Sequence, residues 1–213
     1  MDRSISVLER LEPRKAPQQS RSRATVDSIK QATLELAEKQ GFADLTTGMI
    51  AERAGVSKGS LYQYFPNRDA IFLALFEDAT SRLTLAMKGL FGGIVDLPPR
   101  IGMPRVMRRH LALVRENRLI LLRLGMEIPQ LKIATRPIAY ETMIARATRT
   151  YMHIHCPTLS AREVERRAFF VHEIVQSCIN RYVDENPPHL SDRAFIHKLS
   201  DILVYTIMDG AGG

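Results

Sequence analysis

The residues that could do chemistry in this 213-residue chain are concentrated in one segment, ERAGVSKGSLYQYFPNRDAI, at positions 52–71. Lys58 offers an ammonium group to phosphate or to the acceptor atoms of guanine, and Tyr62 and Tyr64 offer hydroxyl groups and ring faces. The segment has no nucleophile–base pair, no paired carboxylates and no cluster of metal ligands. These residue types favour contact with nucleic acid, and we expect no enzyme activity, no metal and no cofactor.

The spacing of caps and glycines in this region predicts two short helices joined by a tight turn. Thr46 suits the N-cap of a helix over 47–54, and Gly55 permits the turn. Ser57 suits the N-cap of a second helix that ends near Tyr64. Two helices at this spacing are typical of a helix-turn-helix, whose second helix enters the major groove of DNA.

The second predicted helix has a narrow polar face. Its members, which share an arc of about 140° on a helical wheel, are Lys58, Gly59, Tyr62 and Gln63. The missing side chain at Gly59 would let the backbone come close to base edges or phosphate. A lone Tyr-x-Tyr-Phe motif is more often core packing than recognition, and we expect Leu61 and Phe65 in the core. The ordered combination of these residues favours DNA binding.

The rest of the chain predicts a helical protein. Apolar residues recur at three-to-four spacing, and no stretch shows sustained strand alternation. Besides the two short helices, the predicted helices cover 24–40, 68–90, 103–116, 118–126, 137–155, 161–185 and 192–208. Predicted breaks fall at Gly92–Gly93 and at Pro98–Pro99. We therefore expect an all-α fold of about nine helices.

The composition agrees with an anionic partner. The formal charge is +7 and the sequence pI is near 9.7, which favours nucleic acid first and anionic lipid second. No apolar run is long enough for a membrane span, and the N-terminus lacks the apolar region of a signal peptide. Cys156 and Cys178 do not make a disulfide framework. We expect a cytoplasmic protein with no membrane partner.

Residues 1–23 predict a flexible basic arm. Arginines and a lysine outnumber acidic residues there, and Pro13 and Pro17 interrupt any helix. Such a stretch has too little apolar surface to order itself. Two interpretations stay open: a solvated tail, or a tail that docks on phosphate when DNA is bound.

The stretch LTTGMIAERAGVSKGSLYQYFPNRDAI resembles the DNA-binding domain of the tetracycline-repressor (TetR) family of transcriptional regulators. The matching positions are Thr46, Thr47, Ile50, Ala51, Ala54 to Ser57, Gly59, Leu61, Tyr62, Tyr64 and Phe65, with Gly41 and Phe42 upstream. The resemblance covers about residues 24–75. Arg68 stands where the family usually has lysine, and either cation can contact phosphate.

The resemblance implies a DNA-binding domain at 24–69, followed by a helical effector-binding and dimerisation domain at 70–213. It implies phosphate contacts from Thr47, Tyr64 and Arg68. It implies base or near-base contacts from Gly48, Lys58, Gly59, Ser60, Tyr62 and Gln63. Some family members carry a longer polar residue at position 48 that reads a base. Gly48 cannot do so, and part of the readout shifts to Lys58, Gln63 or DNA shape.

The C-terminal domain carries no family-wide motif, so its predicted sites come from residue patterns. Candidate pocket residues, which are methionine, aromatic or histidine, are Met103, Met107, His110, Met126, Tyr140, Met143, Tyr151, Phe169 and His172. The alternative is that they are ordinary core. Candidate dimer-interface residues, which lie on broad apolar stripes, are Val171, Val175, Cys178, Tyr182, Phe195, Leu199, Ile202 and Leu203. The alternative is that these stripes face their own domain.

The function predicted from these features is a homodimeric transcriptional repressor that an unidentified small-molecule effector releases from DNA. A two-fold dimer presents two recognition helices to successive major grooves, so the operator should be an inverted repeat with half-sites about 34–36 Å apart. One alternative is an effector-independent architectural or partner-recruiting DNA-binding protein. Another is an enzyme with a DNA-binding head, for which His110, His172 and Glu173 are the candidate residues.

Overall fold

A computed structural model of the protein describes residues 20–128, 131 and 138–208. Over these residues every regular element is helical, which confirms the predicted all-α class. In chain order the described α-helices are α1 (Ser20–Gln40), α2 (Thr47–Arg53), α3 (Lys58–Tyr64), α4 (Arg68–Ile94), α5 (Pro99–Glu116), α6 (Leu124–Glu127), α7 (Ile138–His155), α8 (Ala161–Glu185) and α9 (Asp192–Met208). None of these helices has the length and apolar character that a membrane crossing needs.

Packing divides the chain into two units. The N-terminal unit is Met1–Ala79 with Leu119–Arg136, and the helical unit is Thr80–Arg118 with Pro137–Gly213. Helix α4 continues from the first unit into the second. The predicted functional division at residues 69–70 stays a prediction.

The caps that shape the helix-turn-helix form as the sequence predicts. The Thr46 hydroxyl accepts a hydrogen bond from the Met49 backbone N–H at 3.2 Å, which satisfies one of the free donors at the start of α2. Gly55 has φ +67°, a left-handed conformation that glycine adopts at low cost, and it lets the chain reverse. The Ser57 hydroxyl then accepts from the Ser60 N–H at 3.0 Å and starts α3.

The core of the N-terminal unit holds these short helices in place. Leu61 of α3 and Ile50 of α2 are fully buried, and Phe65 is almost so. Phe42 and Phe72 meet edge to face with ring centroids 5.1 Å apart. Each fully buried side chain of this size stabilises the fold by about 1.5–3 kcal/mol, so the tertiary core rather than helix propensity fixes these seven-residue helices.

The segment that joins α5 to α7 along the chain packs into the same core. A π-helical turn at Leu119–Arg123 leads into α6. Its buried apolar residues belong to the cluster that contains the helix-turn-helix; they are Ile120, Leu124, Ile128 and Leu131. At the end of α6, Glu127 accepts a hydrogen bond from the backbone N–H of Phe42. This carboxylate therefore secures the loop that precedes α2.

The helical unit packs α5 against α8 and α9, and α7 against α8. Helix α8 begins at the predicted cap, where Ser160 accepts from the Glu163 N–H. Tyr182 of α8 stacks on Phe195 of α9 with ring centroids 3.9 Å apart and nearly parallel planes. Arg115 of α5 reaches Asp192 through two hydrogen bonds of 2.6 and 2.8 Å. These contacts tie the three helices together at one end.

Some predicted boundaries were wrong. Helix α4 does not stop at Gly92–Gly93 but runs to Ile94, whose side chain is 2% exposed. Two helical glycines cost about 1 kcal/mol each relative to alanine, and the burial of Ile94 offsets that cost by about 1.5–3 kcal/mol. Helix α5 begins at Pro99 rather than residue 103, because proline is suited to the first helical position. Helix α1 begins at Ser20, and the rest of the predicted arm lies outside the described residues.

Candidate nucleic-acid interface and helical-unit cavity

Helix α3 turns its polar face to solvent and its apolar face to the core. Leu61 is fully buried, whereas the Tyr62 side chain on the next position is 41% exposed. The predicted DNA-contacting residues that are exposed are Lys58, Gly59, Tyr62 and Gln63, and those that are half-buried are Thr47, Gly48, Ser60, Tyr64 and Arg68. The face predicted for recognition is therefore available to a partner.

The hydroxyl of Tyr62 is held by a residue of the preceding helix. Thr47 Oγ1 and Tyr62 Oη lie 2.9 Å apart, and either can donate the hydrogen bond. A hydroxyl has one proton and two acceptor lone pairs, so this contact leaves bonding capacity on both groups for a phosphate or a base edge. The contact orders two of the predicted DNA-binding side chains before any DNA arrives, which lowers the entropy cost of binding.

Lys58 occupies space that the absence of a side chain at Gly48 leaves open. A Cβ atom built on Gly48 would lie 3.2 Å from Lys58 Cε and 3.3 Å from Lys58 Nζ. Among the described residues no carboxylate pairs with Lys58. Within the described chain its ammonium group is therefore an unpaired positive charge close to the start of α2, and its predicted contact with phosphate or guanine stays a prediction.

Arg68 has a structural task of its own. Its Nη1 donates to the backbone carbonyls of Ala43 and Leu45, each at 2.7 Å, and its Nε lies 3.4 Å from Asp69 Oδ1. The guanidinium therefore secures the loop before α2 and still carries its charge near the predicted interface. The phosphate contact expected from Arg68 stays a prediction. Because the two backbone carbonyls already use part of the guanidinium, fewer than its five N–H donors remain for a phosphate.

The helical unit contains a cavity with almost wholly apolar walls. The cavity is narrow, with a volume of about 40 Å³. The lining residues come from α4, α5, α7, α8 and α9; they are Met87, Phe91, Met103, Val106, His110, Tyr140, Ile144, Thr148, Tyr151, Val171, His172, Val175, Gln176 and Ile207. This volume exceeds that of one water molecule but is well below the roughly 300–1,000 Å³ of ligand pockets, so a small organic molecule would enter only with movement of the side chains that line it.

A histidine–tyrosine pair is the main polar feature of this cavity. His110 Nε2 and Tyr140 Oη lie 2.9 Å apart, and both side chains are buried. Burial lowers the pKa of His110 to about 4, with a smaller contribution from the charge of His172. Burial also raises the pKa of Tyr140. Both groups are therefore neutral near pH 7.

The structure brings together only some of the predicted pocket residues. Those that line the cavity are Met103, His110, Tyr140, Tyr151 and His172. Met107 is buried elsewhere, Phe169 is 61% exposed, and Met126 is 62% exposed in the N-terminal unit. Met143 is half-buried and is not among the lining residues. Met87 and Phe91 were missed, although their four-residue spacing on a predicted helix places them on one face.

The residues predicted for a dimer interface have several different environments within the described chain. Val171 and Val175 line the cavity, and Leu199 and Leu203 are buried. The remaining members are Cys178 and Phe195, which are half-buried, Tyr182, which is buried, and Ile202, which is 40% exposed. The structure thus uses much of these stripes inside one subunit, and the interface stays a prediction.

An exposed polar helix in a capped helix-turn-helix, joined to a separate helical unit, is the arrangement expected of a DNA-binding transcriptional regulator. Residues 29–75 match the family model for bacterial regulatory proteins of the tetR family. Over these residues the chain is similar to the DNA-binding part of the TetR family of transcriptional regulators.

Curated relatives match part of the chain. The nucleoid occlusion factor SlmA of Haemophilus ducreyi is 32% identical over an alignment of 105 residues, and the match covers 42% of this chain and 52% of that protein. The regulator BetI of Escherichia coli is 38% identical over 71 residues, 33% of this chain and 34% of that protein. The chain thus spans about half, or a third, of the length of these curated relatives.

The fold of the whole chain also has solved counterparts. The transcriptional regulator FadR of Bacillus subtilis, solved in complex with stearoyl-CoA, superposes with a TM-score of 0.61 at 15% identity. The superposition covers 86% of this chain and 98% of that chain. At this identity the likeness shows a shared fold and nothing about a shared ligand.

Proposed function

We propose that the protein is a cytoplasmic homodimeric repressor that binds an inverted-repeat operator and leaves it when a small molecule enters the helical unit. The observation that carries this proposal is the solvent-facing set of Lys58, Tyr62 and Gln63 on α3. A lysine without a carboxylate partner and a positioned tyrosine hydroxyl supply phosphate contacts and base contacts on one short helix.

Exposed apolar residues on α8 and α9 support the homodimer. Large side chains that face solvent in the described subunit are Phe169, Phe170, Ile202, Tyr205 and Met208. Clustered apolar exposure of this kind is unfavourable in a monomer and is typical of protein interfaces. A second copy that covers this surface would place two recognition helices on one face of DNA.

The cavity and α4 support a release mechanism. Met87 and Phe91 of α4 line the cavity, while Phe72 of the same helix lies in the core beneath the helix-turn-helix. A ligand that binds one arrangement of this helix better than another would shift the population of the dimer toward it. If the favoured arrangement changes the spacing of the recognition helices, the operator no longer fits.

Selection of genomic DNA fragments by the purified protein tests the DNA-binding role. We expect wild type to enrich inverted repeats, and Lys58→Ala and Tyr62→Ala to lower affinity for an enriched site at least tenfold with unchanged secondary structure and oligomeric state. Lys88→Ala is the matched control, because it removes an exposed lysine from the helical unit. Equal affinity of all variants for the enriched site would refute the assignment.

The similarity to SlmA supports a second candidate function, an effector-independent DNA-binding protein that acts by occupying many chromosomal sites. The two functions differ in a measurable way. A repressor should have few strong sites near promoters and a ligand response, whereas an occlusion factor should have sites spread along the chromosome. Mapping of bound sites in living cells separates them.

A further inference from the structure

We infer that the cavity of the helical unit takes an uncharged, largely apolar molecule that carries one hydroxyl or carbonyl group, and that the His110–Tyr140 pair holds this group. The inference rests on the proposed function, because it names the chemical class of the effector. It adds a feature that the fold alone does not specify, namely the charge and polarity of the ligand.

The walls of the cavity disfavour a charged ligand. Among the lining residues that the structure describes, none is an aspartate, glutamate, lysine or arginine. An ion that enters such walls loses its hydration without gaining a fixed counter-charge, which is strongly unfavourable. His172, which is half-buried, is the side chain that an anion would have to use in place of a lysine or arginine.

The walls suit a molecule with a flexible or irregular apolar body. Met87 and Met103 face the cavity beside Phe91, and unbranched thioether side chains adjust to different shapes. Most of the ligand surface would contact aliphatic and aromatic carbon, and the binding energy would come mainly from apolar burial.

The His110–Tyr140 pair supplies one adaptable polar contact. If Tyr140 donates to His110 Nε2, its oxygen can accept from a ligand hydroxyl. If the other tautomer of His110 donates to Tyr140, the tyrosine proton is free for a ligand carbonyl or hydroxyl oxygen. By contrast, the Tyr151 hydroxyl already donates to the Leu97 carbonyl at 2.6 Å, so it is engaged within the protein.

A matched pair of ligands tests the inference on the full-length protein. Decan-1-ol and decanoate have the same chain length, and at pH 7.5 the carboxylate is ionised. By calorimetry and thermal shift we expect saturable decanol binding that raises the melting temperature, and at least tenfold weaker decanoate binding. Equal or tighter binding of decanoate, or no binding of decanol, would overturn the inference.

Variants that each lack one hydroxyl group test the proposed hydrogen bond between the ligand and Tyr140. Tyr140→Phe keeps the ring and should weaken decanol binding about three- to tenfold, the range expected for one hydrogen bond. It should leave the affinity for naphthalene, which has no polar group, unchanged. Thr84→Val is the control, because Thr84 carries a hydroxyl in the helical unit and is not among the described lining residues. An unchanged decanol affinity in a folded Tyr140→Phe protein would refute the anchor.

Release of operator DNA is measured separately from ligand binding. If decanol binds as expected but does not release DNA at saturation, the ligand class stands and the effector-controlled repressor fails. If decanoate binds more tightly and releases DNA, the repressor stands and the uncharged ligand class fails.

Discussion

The side chain of Lys58 lies over Gly48, so that a Cβ atom at position 48 would come within 3.2 Å of Lys58 Cε. One residue begins the recognition helix and the other belongs to the first turn of α2. The two positions therefore share one volume at the predicted DNA surface. A Cβ atom at position 48 therefore requires the end of the Lys58 side chain to move by a few tenths of an ångström.

This relationship predicts that positions 48 and 58 are energetically coupled in DNA binding. Gly48→Ala should keep or raise the melting temperature, because alanine is favoured over glycine in a helix by about 1 kcal/mol. It should nevertheless weaken operator binding by moving Lys58. Fluorescence anisotropy on Gly48→Ala, Lys58→Ala and the double variant measures the coupling. Strictly additive losses of binding free energy would contradict it.

The Thr47–Tyr62 hydrogen bond predicts a second pair of coupled variants. Tyr62→Phe should weaken operator binding about two- to tenfold, because it removes the hydroxyl that Thr47 orients and leaves the ring. Thr47→Val should have a similar effect, and the double variant should lose less than the sum of both. The melting temperature should change little, since both groups lie at the surface. If Tyr62→Phe binds the operator like wild type, the hydroxyl has no role in recognition.

Two glycines with opposite environments predict opposite changes in stability. Gly41 has φ +80°, and a Cβ there would lie 2.7 Å from Glu127 Oε2. Gly41→Ala should lower the free energy of unfolding by more than about 1 kcal/mol, through backbone strain and the displaced carboxylate. Gly89 lies within α4, and a Cβ atom added there would have no neighbouring atom within 4 Å. Gly89→Ala should raise the free energy of unfolding by up to about 1 kcal/mol, and urea titration of both variants checks the signs.

The exposed apolar surface of α8 and α9 predicts which substitutions separate the subunits. Tyr205, whose side chain is 67% exposed, is the test position, and Tyr205→Glu would bury a charge in the proposed interface. Sedimentation velocity should show a monomer, and affinity for an inverted repeat should fall toward that for a half-site. Leu85→Glu is the matched control, because Leu85 is 71% exposed on α4. A Tyr205→Glu protein that remains dimeric would place the interface elsewhere.

Local signals predicted most of the helices because each signal acts within one turn. Thr46, Ser57 and Ser160 satisfy backbone donors three residues away, so the sequence alone indicates where α2, α3 and α8 begin. The face of α3 was predictable for a similar reason. Leu61 and Tyr62 are neighbours on a helix, and only one of them can face the core.

Contacts between residues far apart in the chain could not be predicted from the sequence. Glu127 and Phe42 are 85 positions apart, and nothing in either local pattern indicates that a carboxylate meets that backbone N–H. The stripe on α8 was visible, but helical periodicity does not say whether Val171 and Val175 face a cavity or a partner. Met126 and Met103 are likewise equivalent by residue type, and only the fold separates an exposed methionine from one in the cavity wall.

Burial of His110 predicts a specific dependence of stability on pH. Its folded-state pKa is about 4, below the ordinary value of 6.5, because desolvation disfavours the imidazolium. Between those two values the unfolded chain binds a proton that the folded protein does not, so the stability that depends on neutral His110 is present above pH 6.5 and is lost as the pH falls toward 4. The loss should reach about 3 kcal/mol and then level off.

Urea titrations of wild type and His110→Gln across this range isolate the effect, because glutamine can still bond to Tyr140 but does not titrate. The difference in unfolding free energy between the two proteins should shrink as the pH falls, and a difference that is constant from about pH 7 to about pH 4 would mean that His110 is not held neutral by burial.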